Sequence, residues 1–501
     1  MDKRLKLFFY IASALILVLF CYFRLKPIYF QTVSYTFDQG RDFLKAAEII
    51  KTKHLTFIGP TTGIQGLFHG AWWYYFLSTI FLFSRGAPSG FYYGVFIIHL
   101  VTVVLFAIFL KKKLGLAFSL LFLLIVTGSS YFIQLSFFPA NNTLTPITVL
   151  LYLYSLSKIL EGNKEIKFLF MLGLSLGLIF ETQVSFGFLF IPVFIISCFL
   201  FKELRQLAGK INNISYFLSG LVIPFIPRIL FEIKNNFLQT RTIINFLQNP
   251  TATNPVSFKG AFFDRLILFN NYFQQVFNFP LLALLLLAIF MLGFLITIKN
   301  SVNNRNIFHI LISQMVLLFL ISLLQKNNFF WSNYFEGIQY IFLFIVLISL
   351  KFIKKIKSFE FLTSILIIIF ASILLFDFTK SFSIKNNPPF IGLRANIYTV
   401  KNLYLQAGNS DFCVRIYTPP VIPYTYRYLF DYYSQSKHLK KPTESYVKNQ
   451  CWYIIEREPY AFRVEKWRRE NIPAGAKMVK KEVISDNVHI ELWQEKVQIQ
   501  P

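Results

Sequence analysis

Long apolar runs alternate with short polar segments along most of this 501-residue chain. A helix needs about 20 predominantly apolar residues to cross a membrane, and most of the runs approach that length. The pattern predicts a polytopic α-helical membrane protein with about eleven transmembrane helices. The predicted spans are residues 1–25, 91–110, 114–135, 143–160, 168–180, 184–201, 214–231, 277–298, 307–324, 338–350 and 361–376.

Short clusters of Lys and Arg between the apolar runs predict which side of the membrane each loop faces. Clusters lie at residues 111–113, 202–210 and 351–357. Because cytoplasmic loops are enriched in Lys and Arg, we expect all three on the cytoplasmic side of the plasma membrane. The chain starts with basic residues and has no small-residue cleavage site before Arg24. We therefore predict an uncleaved first span with a cytoplasmic N-terminus.

The first outer loop, residues 27–90, is the longest polar interruption in the first part of the chain. From Asp42 to Ile50, apolar residues fall on one helical face and charged residues on the other. This spacing predicts a helix that lies on the membrane surface. Residues 68–83 are rich in aromatic side chains and short for a span. If residues 91–110 run from the outer to the cytoplasmic side, residues 68–83 cannot span the membrane. We therefore predict that residues 68–83 form a re-entrant or interfacial element on the outer face.

The composition changes after Lys380 to the mixed polar character of a globular domain. We predict a transmembrane module over residues 1–380 and a small extracytoplasmic α/β domain over residues 381–501. Predicted strands cover residues 412–418, 451–456, 476–484 and 488–495, and predicted helices cover residues 393–406 and 424–433. Cys413 and Cys451 each start a strand on the oxidising side. A disulfide and two buried thiols are both open at this point.

Composition excludes a soluble protein, because 55% of the residues are hydrophobic and only 15% are charged, against about 25% in soluble domains. The net charge of +26 would suit a nucleic-acid partner. The basic residues, however, lie in short clusters between apolar runs, so we expect a lipid bilayer and no nucleic acid. The histidines and cysteines show no metal-ligand spacing. We expect no metal site and no required cofactor, while a divalent cation stays open.

Asp38 is the first candidate for catalysis. It follows the first span and lies between Phe37 and Gln39, a partly apolar setting that suits a carboxylate acting as a base. Asp is also a preferred N-cap residue, which leaves open a structural role in a helix that begins near Gly40. Asp42, one turn further, is expected to interact favourably with the helix dipole.

The other candidates lie at the expected outer ends of the spans. Arg228 is the strongest, because an ionisable residue near a span suggests function, with snorkelling or a pair with Glu232 as the alternative. The remaining candidates are Arg41, His69, Asn141, Asn142, Glu181, Gln183, Lys326, Trp331, Tyr334 and Glu336. Their charged, amide and aromatic groups can bind phosphate or hydroxyl groups. Helix capping and anchoring at the membrane interface are the structural alternatives.

The order of these features resembles the GT-C superfamily of lipid-linked-sugar glycosyltransferases, and within it the protein O-mannosyltransferase and aminoarabinose transferase group. The shared features are an N-terminal span, an outer loop that opens with an acidic residue, a surface helix and the element HGAWWYY. Gln39 stands where the family has Glu after its Asp, and Ala71 where a Pro often follows the His. Asn141 or Asn142 stands where relatives often carry a second Asp.

The resemblance implies transfer of a sugar from a polyprenyl-phosphate donor to a glycan, lipid or protein acceptor, with inversion at the anomeric carbon. In this scheme Asp38 deprotonates or aligns the acceptor hydroxyl. The cations Arg228, Lys326 and Arg41 hold the donor phosphate, which leaves as a stable anion. The expected sugar-binding or acceptor-binding residues are His69, Asn141, Asn142, Glu181, Gln183, Tyr334 and Glu336.

Two other functions compete with this interpretation. A transporter or flippase for a lipid-linked oligosaccharide would carry paired charges deep inside its spans and often has related halves. Most charges here lie at outer ends, and the halves show no similarity. A surface-polysaccharide polymerase or ligase would use arginines and a histidine in a large late outer loop. The loop predicted for residues 231–264 holds no histidine.

Overall fold

The structure is a computed structural model that combines a bundle of apolar helices with a four-stranded sheet near the C-terminus. It describes residues 3–163, 165–208, 211–248, 257–277, 280–299, 305–324, 334–354, 360–383, 389–408, 410–419, 422–447 and 450–494.

The helices up to residue 383 follow the order of the apolar runs. They are α1 (Lys3–Tyr29), α2 (Phe37–Thr52), α3 (Trp72–Ser84), α4 (Pro88–Lys113), α5 (Leu116–Gly128), α6 (Ser130–Leu135), α7 (Thr145–Leu160), α8 (Ile166–Thr182), α9 (Val184–Leu200), α10 (Lys202–Ala208), α11 (Ile211–Val222), α12 (Ile226–Lys234), α13 (Leu238–Gln248), α14 (Phe258–Phe277), α15 (Pro280–Lys299), α16 (Arg305–Ser322), α17 (Ile338–Lys354) and α18 (Glu360–Ser383). Single 3₁₀ turns at Asn141–Leu144 and Ile223–Phe225 precede α7 and α12.

Several of these helices are suited to a membrane. Four described segments are long and apolar enough to cross one, namely Lys6–Tyr29, Pro88–Lys113, Asn141–Leu160 and Ile211–Lys234. Six shorter apolar helices of 10–17 residues accompany them. The protein is thus a multi-pass membrane protein of mainly helical fold, as the sequence predicts.

Basic side chains collect at one end of the bundle, where α4, α7 and α17 finish. Lys113 pairs with Glu161 at 2.7 Å, and Lys158 pairs with the same carboxylate at 2.8 Å. The Lys351 Nζ donates to the Lys113 carbonyl oxygen at 2.8 Å. We call this the basic end. The opposite end, where α4 and α7 begin and α8 finishes, is called the site end.

The predicted surface helix exists as α2, but it begins earlier than expected. Its first residue is Phe37 and its N-cap is Thr36, so a start near Gly40 is wrong. The Gln39 side-chain oxygen accepts a hydrogen bond from the Thr36 backbone N–H at 2.8 Å. This is one arm of a capping box, which explains a Gln at this position, because its oxygen accepts the bond without adding a charge. The aromatic element predicted at residues 68–83 forms α3.

The segment between α12 and α14 corrects a second expectation. Residues 231–264 were predicted as a long loop, but α12 continues to Lys234 and α13 follows at once. Glu232 accepts hydrogen bonds from the backbone N–H groups of Gln239 and Thr240 at 3.0 and 2.9 Å. It therefore satisfies two N–H groups in the first turn of α13 that have no partner inside the helix.

The C-terminal region is a small α/β unit, as predicted. It contains α19 (Gly392–Ala407), β1 (Cys413–Tyr417), α20 (Tyr424–Ser436), β2 (Cys451–Glu456), α21 (Ala461–Asn471), β3 (Lys477–Ser485) and β4 (Val488–Gln494). The strand order is β1-β2-β4-β3, with β1 and β2 parallel and the other pairs antiparallel. Cys413 lies directly opposite Cys451, and the two form a disulfide. Of the two possibilities left open by the sequence, a disulfide or two buried thiols, the structure thus has the disulfide. Helix α21 was not predicted.

The C-terminal unit packs directly against α2. A Cβ added at Gly40 would lie 2.5 Å from the Thr425 backbone nitrogen, so only glycine permits this approach of α20. The Tyr35 hydroxyl donates to the Thr425 carbonyl oxygen at 3.1 Å. Phe43 of α2 contacts Tyr428 of α20 edge to face, with ring centroids 5.5 Å apart. The position of α2 therefore depends on the C-terminal unit.

Candidate functional site

Three charged side chains on the first turns of α2 form a connected group. The Arg41 Nη1 lies 2.7 Å from an Asp38 carboxylate oxygen. Its Nε and Nη2 lie 2.9 and 2.8 Å from the Asp42 Oδ1. The Asp38 side chain is 69% exposed and that of Asp42 only 4%. The partly apolar setting expected for Asp38 is wrong, because its neighbours Phe37 and Gln39 turn to other faces of the helix.

Asp42 is anchored by two neighbouring side chains of α3. The Trp73 Nε1 donates to its Oδ2 at 2.8 Å, and the Tyr74 hydroxyl donates to its Oδ1 at 3.2 Å. Burial raises the pKa of Asp42 to about 6, and the attraction of Arg41 opposes this rise. Asp42 thus does more than the helix-dipole role predicted for it, because it fixes the orientation of the Arg41 guanidinium.

A second group joins α8, α12 and α13. The Arg228 Nε and Nη2 contact the two Glu181 carboxylate oxygens at 2.7 and 3.3 Å. The Arg228 Nη1 donates to the Phe68 carbonyl oxygen at 3.0 Å and to the Gln239 side-chain oxygen at 2.5 Å. A guanidinium has five N–H donors, and these contacts use four of them. The alternative partner considered for Arg228, Glu232, instead caps α13.

The chain between α2 and α3 is held tightly beside this pair. The His69 backbone exchanges two hydrogen bonds of 2.8 Å with Gly59 and Pro60. The Gly70 N–H donates to the Glu181 carbonyl oxygen at 2.8 Å. A Cβ at Gly70 would lie 2.1 Å from the Glu181 Oε2, so the glycine permits the close approach of this carboxylate.

His69 faces the 3₁₀ turn that precedes α7. Its Nδ1 lies 3.2 Å from the Asn141 Nδ2, and the same amide nitrogen donates to the Thr182 carbonyl oxygen at 2.7 Å. Burial, together with the positive charges of Arg228 and Arg41, lowers the pKa of His69 to about 3. The imidazole is therefore neutral at physiological pH. Its pKa responds to the charges of Arg228 and Arg41, one from each group.

Glu336 and Tyr334 form a separate part of the site end. Glu336 is buried and accepts a hydrogen bond from the Tyr131 hydroxyl. Burial raises the pKa of Glu336 to about 7. The Tyr334 hydroxyl approaches Gly63 in the loop before α3, where an added Cβ would lie 3.8 Å from it. Lys326 and Trp331 lie outside the described residues.

Two predicted binding residues are buried near the other groups. Gln183 is 3% exposed at the junction of α8 and α9. The Asn142 side-chain oxygen is buried without a hydrogen-bond partner among the described residues. Asn142 joins neither the Asp38 group nor the Glu181 group through a hydrogen bond between described residues.

Sequence reasoning missed the residues that orient the charged ones. Trp73, Tyr74 and Gln239 each contact a predicted site residue or its partner. The only signal was the run of aromatic side chains in HGAWWYY, which was interpreted as a membrane-interface element. Among the residues that the structure describes, no three His, Cys, Asp or Glu side chains come together as a metal site.

The arrangement offers three chemical capabilities. Asp38 presents an exposed carboxylate that can accept a proton or a hydrogen bond from a hydroxyl group. Arg41 retains N–H donor capacity beyond its contacts with Asp38 and Asp42, because those two carboxylates take three of its five donors and Tyr74 is its other neighbour. The His69 Nε2 makes no hydrogen bond to a described residue. These groups can bind an anion beside a nucleophilic hydroxyl.

The comparisons with known proteins concern the fold. No family model matches the sequence, and no curated protein matches it. The structure of ArnT from Cupriavidus metallidurans bound to undecaprenyl phosphate matches with a TM-score of 0.57 and 9% identity, over 98% of each chain. The apo structure of the same protein matches with a TM-score of 0.58 and 11% identity, again over 98% of each chain. Archaeal oligosaccharyltransferase AglB from Archaeoglobus fulgidus matches at a TM-score of 0.40, with 14% identity over 94% of this chain and 59% of AglB. The chain therefore has the fold seen in ArnT.

Proposed function

We propose that this protein is an inverting glycosyltransferase that moves a sugar from a polyprenyl-phosphate donor to an acceptor hydroxyl at the outer face of the plasma membrane. The observation that carries the proposal is the Asp38–Arg41–Asp42 group, an exposed carboxylate beside a guanidinium with unused donors. It lies at the site end, opposite the basic end, and the positive-inside rule favours placing the basic end in the cytoplasm. The ArnT fold, seen with undecaprenyl phosphate, supports the donor class.

In the proposed reaction, Asp38 accepts the proton of the acceptor hydroxyl as its oxygen attacks the anomeric carbon. The bond from that carbon to the phosphate oxygen breaks, and the electron pair leaves with the phosphate. A phosphate is already a stable anion, so no general acid is required. Cationic donors stabilise the charge that develops on it.

Among the described cations, we propose Arg41 and not Arg228 as the one that binds the donor phosphate. Arg228 uses four of its five N–H donors on Glu181, Phe68 and Gln239. Arg41 uses three of its five N–H donors on Asp38 and Asp42 and is oriented by the buried Asp42 carboxylate. Its side chain is also more exposed than that of Arg228, at 21% against 11%. Lys326 remains a proposed second cation. Arg228 is instead proposed to fix the backbone beside His69.

The remaining predicted residues stay proposals for sugar or acceptor binding. They are His69, Asn141, Asn142, Glu181, Gln183, Tyr334 and Glu336. Of these, the paired Glu181 has the least capacity to bind a hydroxyl group, because both of its oxygens contact Arg228. No cofactor is proposed, and a divalent cation is left to experiment.

The test uses the purified full chain in lipid nanodiscs with a panel of polyprenyl-phosphate sugars. Peptide, glycolipid and oligosaccharide acceptors are offered in turn, and free polyprenyl phosphate is measured. We expect release from one donor class that depends on an acceptor. A parallel series with EDTA tests the divalent cation. Absence of release from every donor with every acceptor would contradict the proposed function, and movement of intact donor across a vesicle membrane would favour a flippase.

A further inference from the structure

We infer that Asn141 holds the His69 imidazole in the tautomer protonated on Nε2, which makes His69 a neutral hydrogen-bond donor to the phosphate of the lipid-linked donor. This inference rests on the proposed function. It also excludes His69 as the base for the acceptor hydroxyl. Asn141 is then a positioning residue, because it acts through His69.

The orientation of the Asn141 amide determines the tautomer. Its Nδ2 donates to the Thr182 carbonyl oxygen at 2.7 Å, and a carbonyl can only accept. The amide nitrogen, and not the amide oxygen, therefore faces His69 at 3.2 Å. An NH₂ group only donates, so the His69 Nδ1 must accept this bond. A neutral imidazole that accepts through Nδ1 carries its proton on Nε2.

Neither ring nitrogen is then available as a base. The Nδ1 lone pair is engaged by Asn141, and Nε2 carries the proton. The Nε2 makes no hydrogen bond to any residue that the structure describes. The ring therefore presents one unused N–H donor, which needs an acceptor oxygen from a ligand or from water.

The backbone fixes where this donor lies. The Gly59 N–H donates to the His69 carbonyl oxygen, and the His69 N–H donates to the Pro60 carbonyl oxygen, both at 2.8 Å. On one side, the Phe68 carbonyl oxygen accepts from Arg228 at 3.0 Å. On the other side, the Gly70 N–H is bonded to α8. These four hydrogen bonds thus hold the backbone of residues 68–70. An N–H donor on a fixed backbone needs little reorganisation when charge develops on a ligand.

The charged groups and the burial around the ring keep the imidazole neutral. Arg228 on α12 and Arg41 on α2 both lower the pKa of His69, while Glu181 on α8 is paired with Arg228. Both guanidinium groups disfavour a positive charge on the imidazole. Because Arg41 is paired with Asp38 and Asp42 as well, the anionic ligand is inferred from the unused Nε2–H donor and not from the net charge of these groups. The phosphate of the donor supplies such an oxygen, and it is present before and after the sugar leaves.

The direct test is side-chain ¹⁵N NMR of the chain labelled at its six histidines, in nanodiscs between pH 5 and 8. The His69→Gln spectrum identifies the His69 signals. We expect a protonated Nε2, an unprotonated Nδ1 and no titration. An imidazolium at pH 6, or a proton on Nδ1, would overturn the inference. This measurement needs no substrate, so it stands even if the proposed function fails.

Binding and turnover test the role of the donor. We expect His69→Ala to weaken binding of polyprenyl phosphate by about 10-fold to 100-fold, as for one hydrogen bond to a charged group. His69→Gln keeps a neutral N–H donor and should recover most of that loss. His438→Gln, on the C-terminal unit, is the matched control. Equal binding of polyprenyl phosphate by wild type, His69→Ala and His438→Gln would overturn the inference. If wild type still releases polyprenyl phosphate from its donor in that case, the proposed function stands although the inference fails.

Asn141→Asp provides a readout that a purely structural role would not move. A carboxylate can only accept, so the variant loses the bond to the Thr182 carbonyl oxygen. Its oxygen that faces Nδ1 draws the proton to that nitrogen and raises the pKa of His69. As pH rises through the new pKa, the ring becomes neutral with its proton on Nδ1, and Nε2 stops donating. We expect the variant, unlike wild type, to lose activity as pH rises. An unchanged pH profile in the folded variant would contradict the positioning role.

Discussion

The ion pair between Glu181 and Arg228 permits a quantitative prediction. The Glu181 side chain is 1% exposed and the Arg228 side chain 11% exposed, and the contact is bidentate. Removing one partner of a buried pair costs about 3–5 kcal/mol, because the other charge stays buried and unpaired. Glu181→Gln places an amide NH₂ group against the Arg228 guanidinium. Both groups can only donate hydrogen bonds, so one contact of the pair is lost. We therefore expect Glu181→Gln to lower the free energy of unfolding by about 3 kcal/mol.

The pair between Asp38 and Arg41 is the matched control. Its contact distance of 2.7 Å is the same, but the Asp38 side chain is 69% exposed. Exposed pairs contribute about 0.2–1 kcal/mol because water screens them. Asp38→Asn should therefore lower the free energy of unfolding by less than about 1 kcal/mol. The contrast depends on burial and on the number of contacts, because Glu181 is buried and held by two guanidinium nitrogens whereas Asp38 is exposed and held by one.

The assay is reversible unfolding by SDS in mixed micelles at pH 7, followed by tryptophan fluorescence, for Glu181→Gln, Arg228→Gln and the double variant. In the double variant two amide groups face each other and can form a hydrogen bond. We expect the double variant to be less destabilised than the sum of the two single variants by about 2 kcal/mol. Additive effects, or a cost of Glu181→Gln no larger than that of Asp38→Asn, would refute the buried pair.

Three further predictions concern α2 and the C-terminal unit. Gly40→Ala forces α2 away from α20 and should lower the free energy of unfolding in the SDS assay by about 1–3 kcal/mol. Gly63→Ala, where the nearest atom is 3.8 Å from the added Cβ, should be near neutral in the same assay. Asp42 must be ionised to orient the neighbouring guanidinium, and its pKa is raised to about 6, so wild-type turnover should fall as pH drops through 6 and Asp42→Asn should lack this inflection. The raised pKa also means that Asp42 favours the folded state most when protonated, so its contribution to stability decreases as pH rises from about 4 to 6. Replacing Cys413 and Cys451 by serine opens a loop spanning 38 residues and should cost about 4 kcal/mol by chain entropy, measured by chemical denaturation against the intact protein; an equal midpoint would contradict it.

The membrane helices and the C-terminal strands were predictable because each depends on local pattern. A long apolar run predicts a span regardless of which helices it packs against. The β-branched and aromatic residues of β2 and β4 predict these two strands in the same way. The order β1-β2-β4-β3 was not predictable, because it is decided by contacts distant in sequence. The packing of α20 on α2 depends on Gly40, whose importance shows only once the partner backbone is in place.

The site shows the same division between local and distant causes. Asp38 was found because it follows the first span, but its exposure could not be predicted from Phe37 and Gln39, which occupy other faces of α2. Spacing along the helix suggested Glu232 as the partner of Arg228. The actual partner, Glu181, is 47 residues away in sequence. Glu232 is engaged by the N–H groups of α13, a helix that was predicted as a loop.

The most direct test of the account compares wild type with Asp38→Asn for release of polyprenyl phosphate from the donor found active in the panel, in the same nanodiscs. Asp411→Asn is the control, because Asp411 is also exposed and paired with one cation, Lys440, at 3.0 Å. We predict that Asp38→Asn lowers the rate of polyprenyl phosphate release by at least about 100-fold, the lower end of the effect of a general base. Asp411→Asn should release it at the wild-type rate, and both variants should be folded. Equal release by wild type and Asp38→Asn would contradict it.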